Sequence, residues 1–372
     1  MSKIELVAPC LMGLEGLVGG ELRRMDAQEV SPDNGRVFFS GEENILARAN
    51  LWSRYSERIL IVVGKFTAFT FDELFEGCKA LPWERWIGKN DAFPVKGSSV
   101  SSKLFSVSDC QSIIKKAVVE RLKSVYHIPW FEETGAVHQI QFHLHKDVAC
   151  LMLDTSGEGL HKRGYRAHGV AAPIKETLAA AMADLAIVKP NSRVFDPLCG
   201  SGTILIESAL KALNIAPGIK RRFSCESWDS ISADVWRAER ERAQGMIRTD
   251  ATFEGFGSDI NPESVSVAKE NAGKAGVADH LSFECRDVKD FAPTGESGIV
   301  ICNPPYGERL LSVKEAQDIY RTMGMRFRRR PGFSYYIITP DEEFERSFGR
   351  KADKRRKLYN GMIKCQLYMY FK

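Results

Sequence analysis

Residues 196–203 read Asp-Pro-Leu-Cys-Gly-Ser-Gly-Thr (DPLCGSGT), and this segment indicates how the second half of the chain folds. It follows a short apolar segment at 193–195 and precedes an apolar run at 204–213, so the pattern predicts a strand, a glycine-rich turn and a helix. In a doubly wound sheet, this turn lies at the ligand crevice. Gly200 and Gly202 allow the backbone to approach a ligand closely. The turn lacks the Gly-Lys-Ser/Thr ending of a P-loop and is not a G-x-G-x-x-G motif.

Strands and helices alternate on both sides of this turn. A helix is predicted at 176–188, before the turn, and an insertion rich in Arg and Glu at 214–254, after it. The later candidate strands are 256–258, 281–284, 298–302, 334–339 and 364–371. This alternation predicts an α/β fold with a doubly wound, mostly parallel sheet.

Two acidic residues follow successive predicted strands. Asp259 is suited to accept hydrogen bonds from ribose hydroxyls, although it lies further from Asp196 than the typical spacing of about 20 residues. Asp287 can accept a hydrogen bond from an adenine amino group, and Val288 offers a backbone amide. Asp196 alone could instead cap the helix. The predicted cofactor-binding residues are Asp196, Pro197, Cys199, Gly200, Ser201, Gly202, Thr203, Asp259, Ile260, Asp287, Val288 and Asn303.

The apolar strand predicted at 298–302 ends at Asn303-Pro304-Pro305-Tyr306 (NPPY). Two consecutive prolines stiffen the chain and remove two hydrogen-bond donors. An exocyclic base amine is a poor nucleophile, and acceptors at its two hydrogens stabilise the positive charge that develops during methyl transfer. The Asn303 side chain and the Pro304 carbonyl can be those acceptors, and Tyr306 can stack on an extruded base. These four residues are the predicted catalytic group; the structural alternative is a rigid turn with a buried tyrosine.

The first half of the chain mixes short strands and helices without long periodic runs. Helices are predicted at 43–54, 71–81 and 108–125, the last with Ser108 as its N-cap. The predicted strands are 36–39, 58–64, 137–144 and 147–154. These elements indicate two small α+β units, followed by a Gly-, His- and Arg-containing linker.

DPLCGSGT, SDIN at 258–261 and NPPYGER at 303–309 together resemble the class I amino-methyltransferases of the N6-adenine/N2-guanine group. The segments 153–166, 172–181 and 356–361 narrow this resemblance. They are similar to the THUMP-domain RNA methyltransferases akin to the bacterial 23S rRNA N2-guanine enzymes. The resemblance covers essentially the whole chain.

The resemblance implies a ferredoxin-like domain at 1–65, a THUMP RNA-binding domain at 66–155, a linker at 156–174 and a Rossmann-like methyltransferase domain at 175–372. It also implies S-adenosyl-L-methionine as cofactor and RNA as partner, with rRNA favoured over tRNA. Some relatives carry a second methyltransferase domain behind the first. Because this chain ends at Lys372, directly after its last predicted strand, it is expected to be a version with a single activity. The Gly307-Glu308-Arg309 extension favours guanine as the base.

Composition narrows the class of protein. Nine scattered cysteines without a C-x-x-C pair argue against a zinc site and for reduced thiols, and no metal is expected. No signal peptide or membrane span is expected, which makes the cytoplasm the default location. A net charge of +4 allows a polyanionic partner. The predicted RNA-binding residues are Lys162, Arg163, Arg166, Arg328, Arg329, Arg355 and Arg356, and a solvated charged face is the alternative for each basic run.

Four functions remain open at this stage. The favoured one is S-adenosylmethionine-dependent methylation of guanine N2 in large-subunit rRNA, with tRNA as an alternative target. N6-adenine methylation is the second, because the reaction motif alone does not distinguish the two amines. A non-catalytic RNA-binding or ribosome-assembly factor is the third, and a nicotinamide dehydrogenase is a distant fourth.

Overall fold

The computed structural model describes residues 3–166, 174–307 and 312–371. These residues form two compact units, each built on one seven-stranded sheet. The first unit comprises Met1–Cys10, Val18–Leu160 and Arg222–Glu241. The second comprises Leu11–Leu17, His161–Arg221 and Arg242–Lys372.

The strands of the first unit make a mostly antiparallel sheet. They are β1 (Ile4–Pro9), β2 (Gln28–Asp33), β3 (Arg36–Gly41), β4 (Leu60–Thr67), β5 (Val95–Val100), β6 (Ile140–His145) and β7 (Val148–Asp154). The helices in this part of the sequence are α1 (Glu15–Arg24), α2 (Glu43–Trp52), α3 (Phe71–Lys79) and α4 (Val107–Tyr126). The strand order is β2-β3-β1-β4-β7-β6-β5, in which β5 and β6 are parallel neighbours.

Strand β4 joins the two predicted α+β units. It pairs with β1 on one side and with β7 on the other. The predicted boundary at 65/66 falls inside this strand, so the ferredoxin-like and THUMP parts share one sheet. The expectation of these two α+β folds is confirmed, but β5 was not predicted, because its sequence Val-Lys-Gly-Ser-Ser-Val has no apolar alternation.

The N-cap predicted for α4 is wrong by two residues. The helix begins at Val107, and the Ser106 hydroxyl accepts a hydrogen bond from the Asp109 amide. Ser108 lies in the first turn instead. Two serines two residues apart both suit an N-cap, and the sequence alone does not choose between them.

The predicted insertion at 214–254 divides between the two units. Its part at 222–241 belongs to the first unit, where the Trp228 ring stacks on His138 with ring centroids 4.2 Å apart. Glu239 pairs with Arg48 at 2.7 Å, and both side chains are buried. These residues bury apolar and paired charged groups in the first unit, although the sequence places them in the catalytic half.

The second unit has the predicted doubly wound α/β architecture. Its strands are β8 (Arg193–Asp196), β9 (Glu254–Asp259), β10 (Leu281–Cys285), β11 (Gly298–Cys302), β12 (Phe333–Thr339), β13 (Lys354–Asn360) and β14 (Ile363–Tyr370). The helices in this part of the sequence are α5 (Glu176–Leu185), α6 (Thr203–Ala212), α7 (Ala233–Gly245), α8 (Pro262–Ala275), α9 (Val313–Arg326) and α10 (Phe344–Phe348). The strand order is β10-β9-β8-β11-β12-β14-β13.

The order of the strands fixes where a ligand can bind. Strands β10, β9, β8, β11 and β12 are parallel, and β14 runs antiparallel to both β12 and β13. Successive strands are added towards one edge of the sheet from β8 to β10 and towards the other edge from β11 onwards. A crevice therefore opens at the carboxyl ends of β8 and β11, where this order reverses. Buried aromatic residues fill the core on one side of this point, among them Phe195, Phe333 and Tyr335. In the described part of the chain, no helix is long and apolar enough to cross a membrane.

Candidate active site

The DPLCGSGT loop connects β8 to α6 and is held by backbone hydrogen bonds. The Cys199 amide donates to the Ser258 carbonyl at 2.9 Å, and the Gly200 amide donates to Asp259 Oδ2 at 2.9 Å. Gly202 occupies the N-cap position of α6 with φ of +78°, a backbone conformation that favours glycine. The loop is therefore tied to the end of β9.

Asp196 lies in the interior of this loop. Its side chain is buried, and its carboxyl group accepts a hydrogen bond from the Leu198 amide at 3.2 Å. Burial, reinforced by the nearby Asp259 carboxylate, raises the pKa of Asp196 to about 8. Since Gly202 occupies the N-cap position, Asp196 does not cap α6. Its contact suggests that Asp196 shapes the loop, whereas its role towards a cofactor stays a prediction.

The acids after β9 and β10 differ in their surroundings. Asp259 accepts from Gly200 through Oδ2 and from the Asn261 amide through Oδ1, at 2.9 Å in each case. Each carboxylate oxygen has a second lone pair, so both can still accept from ribose hydroxyls. Asp287 caps the short turn Val288–Asp290, and the Lys289 amide lowers the pKa of its carboxyl group. Asp287 is thus ionised at neutral pH and able to accept a hydrogen bond.

The shape and chemistry of this edge fit an adenosine-containing cofactor. A side chain added at Gly200 would meet no protein atom within 4 Å, so the loop borders open space there. The Asp259 and Asp287 carboxylates, suited to hydroxyl and amino groups, follow the neighbouring strands β9 and β10, and Ile260 presents an apolar side chain that is 67% exposed. The cofactor contacts of Gly200, Asp259, Ile260 and Asp287 stay predictions.

The NPPY motif follows β11, the strand beside β8. The Tyr306 hydroxyl donates to Asn303 Oδ1 at 2.5 Å, and it accepts from the Asn360 Nδ2 group at 3.2 Å. Burial raises the pKa of Tyr306 well above its ordinary value, so this hydroxyl remains a protonated donor. The Cys365 thiol lies 3.9 Å from the same hydroxyl. The motif is therefore closed by side-chain hydrogen bonds that the sequence did not predict.

The two proline carbonyls have different surroundings. The Tyr320 hydroxyl donates to the Pro305 carbonyl at 2.9 Å, which anchors the motif to α9. Among the described residues, no hydrogen bond reaches the Pro304 carbonyl. The Cys302 thiol, just before the motif, has a pKa raised by burial, and so it is a protonated group and not a thiolate nucleophile. The arrangement offers acceptors to a substrate rather than a covalent nucleophile.

Several supporting residues escaped the sequence analysis. Asn271 is buried on α8, and its Nδ2 group donates to the Ser201 carbonyl at 3.0 Å. Tyr320 and Asn360 hold the NPPY motif from α9 and β13. The Asn360-Gly361 pair is a common turn signal between strands and was the one available hint for the β13–β14 hairpin.

Glu308 and Arg309, which favoured guanine in the sequence, lie outside the described residues.

The predicted RNA contacts of the linker divide into exposed and buried residues. Lys162 is exposed. Arg163 is buried, with its Nε atom 3.5 Å from a Glu207 carboxylate oxygen, so the expectation of a phosphate contact is corrected for this residue. Arg166 pairs with Glu176 at 3.2 Å and donates to the Thr203 hydroxyl at 3.3 Å. The half-buried Arg166 therefore contacts the cofactor loop.

The basic runs near the C-terminus lie in two different places. Arg328 and Arg329 are exposed between α9 and β12, at the amino edge of the parallel strands and so opposite the NPPY motif. Arg355 forms an ion pair with Glu345, and Arg356 donates to the Gly13 carbonyl at 2.8 Å, both from the edge strand β13. The structure thus does not bring the arginines at 328 and 329 to the site.

Comparison with known proteins gives matches along the whole chain. Residues 163–369 match the family described as RMKL-like methyltransferase domain, residues 5–60 match the RlmL ferredoxin-like domain, and residues 68–154 match the THUMP domain. YpsC of Bacillus subtilis (strain 168), named as a candidate RNA methyltransferase, is 47% identical over 100% of this chain and 97% of its own.

Longer enzymes and a solved structure are also similar. The ribosomal RNA large subunit methyltransferase K/L of Shewanella frigidimarina (strain NCIMB 400) is 33% identical over 96% of this chain and 51% of its own length. The chain thus spans about half the length of the K/L enzymes it matches. The crystal structure of SMU.472, a candidate methyltransferase solved in complex with SAH, has a TM-score of 0.95 at 41% identity and covers 100% of this chain and 98% of its own.

Proposed function

This chain belongs to the RMKL-like methyltransferase family, with RlmL-type ferredoxin-like and THUMP domains, and on this premise we propose that it methylates the exocyclic N2 amine of a guanine in large-subunit (23S) rRNA. The cofactor is S-adenosylmethionine, which supplies an electrophilic methyl group. The K/L relatives act, by their name, on large-subunit rRNA, and this supports the choice of RNA.

One observation carries the proposed chemistry. Two acceptors, Asn303 Oδ1 and the Pro304 carbonyl, follow β11 beside the cofactor loop at the end of β8. Acceptors at both amine hydrogens increase the nucleophilicity of the nitrogen and stabilise the charge that forms on it. Positioning then brings the nitrogen in line with the methyl group, and no strong general base is required. A pair of acceptors suits an amine, which has two hydrogens, better than a hydroxyl, which has one.

Tyr306 is proposed to contribute in two ways. Tyr306 is half-buried, and the accessible part of its ring can stack on a base taken out of the RNA, as enzymes acting on a single base require. Its hydroxyl orients Asn303 before the substrate arrives. The Asn303 oxygen has two lone pairs, and so it can accept from the amine and from Tyr306 together.

A methylation assay on RNA from cells lacking the protein tests this function. This unmodified rRNA or tRNA is combined with purified protein and isotope-labelled S-adenosylmethionine, and the digested nucleosides are identified by mass spectrometry. We expect N2-methylguanosine from large-subunit rRNA, and an initial rate at least about 10²-fold lower with the Asn303→Ala variant. The position is then mapped by comparison with RNA from wild-type cells.

The other outcomes have distinct meanings. N6-methyladenosine would replace the guanine assignment, and a product from tRNA alone would replace the rRNA assignment. No product from any RNA, by protein that still binds S-adenosylhomocysteine, would favour a binding or ribosome-assembly role. Full rescue of the deletion strain by Asn303→Ala would point the same way.

A further inference from the structure

The hairpin formed by β13 and β14 projects beyond the rest of the sheet. The last pair between β12 and β14 is Thr339 with Gln366. The two hairpin strands continue to pair for another three residues each, up to Asn360 with Ile363. At about 3.3 Å per residue, this overhang is about 10 Å long. The hairpin therefore extends past the carboxyl edge of the sheet, the edge where the NPPY motif lies.

Side-chain contacts join this overhang to the reaction motif. Asn360, the last residue of β13, donates to the Tyr306 hydroxyl at 3.2 Å. Cys365, on β14, has its sulfur 3.9 Å from the same oxygen. The tip of the hairpin, Gly361 and Met362, is two residues or fewer from Asn360. The tip therefore lies beside the residue that we expect to stack on the target base.

The tip has an apolar end on a basic stem. Met362 is 99% exposed. Lys357 and Lys364 are exposed on the two strands, and Lys357 Nζ lies 5.3 Å from the centre of the Tyr359 ring. Single exposed apolar residues are common on proteins and usually need no explanation. Here an unbranched apolar side chain stands alone at the end of a basic projection beside the proposed base site.

We propose that Met362 is a wedge that enters the RNA base stack next to the target guanine and fills the place left when that base turns out towards Tyr306. Proteins that extrude or unstack bases use Met and other apolar side chains in this way, because an apolar group replaces the lost stacking contacts. Lys357 and Lys364 contact the flanking phosphates. Asn360 is a positioning residue, since it couples the hairpin to the Tyr306 hydroxyl. This inference rests on the proposed function.

A wedge matters only when the target base must leave a helix, and this requirement defines the experiment. Two short RNAs carry the guanine mapped in the rRNA experiment, one with the guanine paired and one with its partner nucleotide removed. Single-turnover methylation is measured for the wild type and for Met362→Ala. We expect the variant to lose about tenfold in rate on the paired RNA and less than about twofold on the unpaired RNA.

Controls separate the wedge from other roles. Met362→Leu should stay close to the wild type, because it keeps an apolar side chain of similar size. Met246→Ala, at another exposed methionine of the second unit, should change neither rate. An equal loss on both RNAs, or no loss on the paired RNA, would overturn the proposal. Failure of the proposed function is recognised earlier, because no guanine would then map in the rRNA experiment.

Discussion

The cofactor loop and the NPPY motif lie on neighbouring strands but are held in different ways. In the cofactor loop, backbone amides of Cys199 and Gly200 make the bonds that fix its shape. In the NPPY motif, the side chains of Asn303, Tyr306 and Asn360 bond to one another. A contact between two side chains can change by rotation about single bonds in both residues, whereas each of the two loop contacts has a backbone amide as its donor. We infer that the cofactor loop is preformed, and that the side chains of the reaction motif adjust when the amine arrives.

Asn303→Ala should have the largest effect, and this effect should be confined to the chemical step. The variant removes one acceptor for the amine but leaves every backbone bond of the cofactor loop. We expect kcat to fall by about 10²–10³-fold, by analogy with the loss of one preorganised hydrogen-bonding group elsewhere. The affinity for S-adenosylhomocysteine, measured by calorimetry, should remain nearly unchanged.

Asn214→Ala is the matched control for this variant. Asn214 donates to the Met246 carbonyl at 2.9 Å, away from the site, so its removal should leave kcat unchanged. A large loss of S-adenosylhomocysteine affinity in Asn303→Ala would mean that the two loops do not divide their roles in this way. Normal turnover by Asn303→Ala would remove this residue from the proposed mechanism.

Sequence reasoning predicted the parallel strands of the catalytic sheet better than it predicted the strands of the first unit and β13. The strands β8, β9, β10 and β11 have apolar or strand-forming residues followed by polar turns, and each was located to within two residues. The strands β1, β2, β5 and β13 were missed. β13 reads Lys-Arg-Arg-Lys-Leu-Tyr-Asn, and such a basic run resembles a charged surface segment more than a strand. Edge strands often carry lysines and arginines, because these charges prevent pairing with another chain.

The predicted parts of the site were those that depend on backbone geometry. Gly200, Asp259 and the NPPY residues follow strands, so the sequence order already indicates that they meet at one edge. Asn360 and Tyr320 were missed because they reach the motif from β13 and α9, across long sequence separations. Their contacts depend on how strands pair, and strand pairing is not visible in local sequence patterns.

Gly202→Ala should produce an intermediate effect, on stability and cofactor affinity instead of the chemical step. A Cβ atom at this position would lie 3.1 Å from Ala268 Cβ and from the Phe283 ring, in addition to the strain of a φ of +78°. We expect a loss of about 1–3 kcal/mol in the free energy of unfolding, measured by denaturant titration, and weaker binding of S-adenosylhomocysteine. With saturating cofactor, kcat should change little.

Gly349→Ala isolates the contribution of the backbone. Gly349 has almost the same φ, +79°, but a Cβ atom there would meet nothing within 4 Å. This variant should lose only the cost of the left-handed conformation, about 1–2 kcal/mol, and should bind S-adenosylhomocysteine normally. Equal behaviour of the two variants would mean that close packing does not hold the cofactor loop.

Asp196→Asn should have the smallest effect, a change in melting temperature that depends on pH. The native protein raises the pKa of Asp196 from its ordinary value of 3.8 to about 8, mainly through burial. Its contribution to stability is therefore fully present below about pH 4 and is lost as the pH rises through about 8. The uncharged amide has no such dependence. The melting temperature of the variant relative to the wild type should therefore rise by a few degrees from about pH 6 to about pH 9.

The same titration distinguishes the two loops. The NPPY motif contains no carboxyl group, so Asn303→Ala should melt in parallel with the wild type over this pH range. The rise for Asp196→Asn should be seen without any substrate, since it reports a carboxyl group buried in the folded loop. A constant difference at all pH values would mean that Asp196 is ionised throughout, as expected if its carboxylate were open to solvent. The cofactor loop would then be open to solvent at Asp196, contrary to the burial of this side chain in the structure.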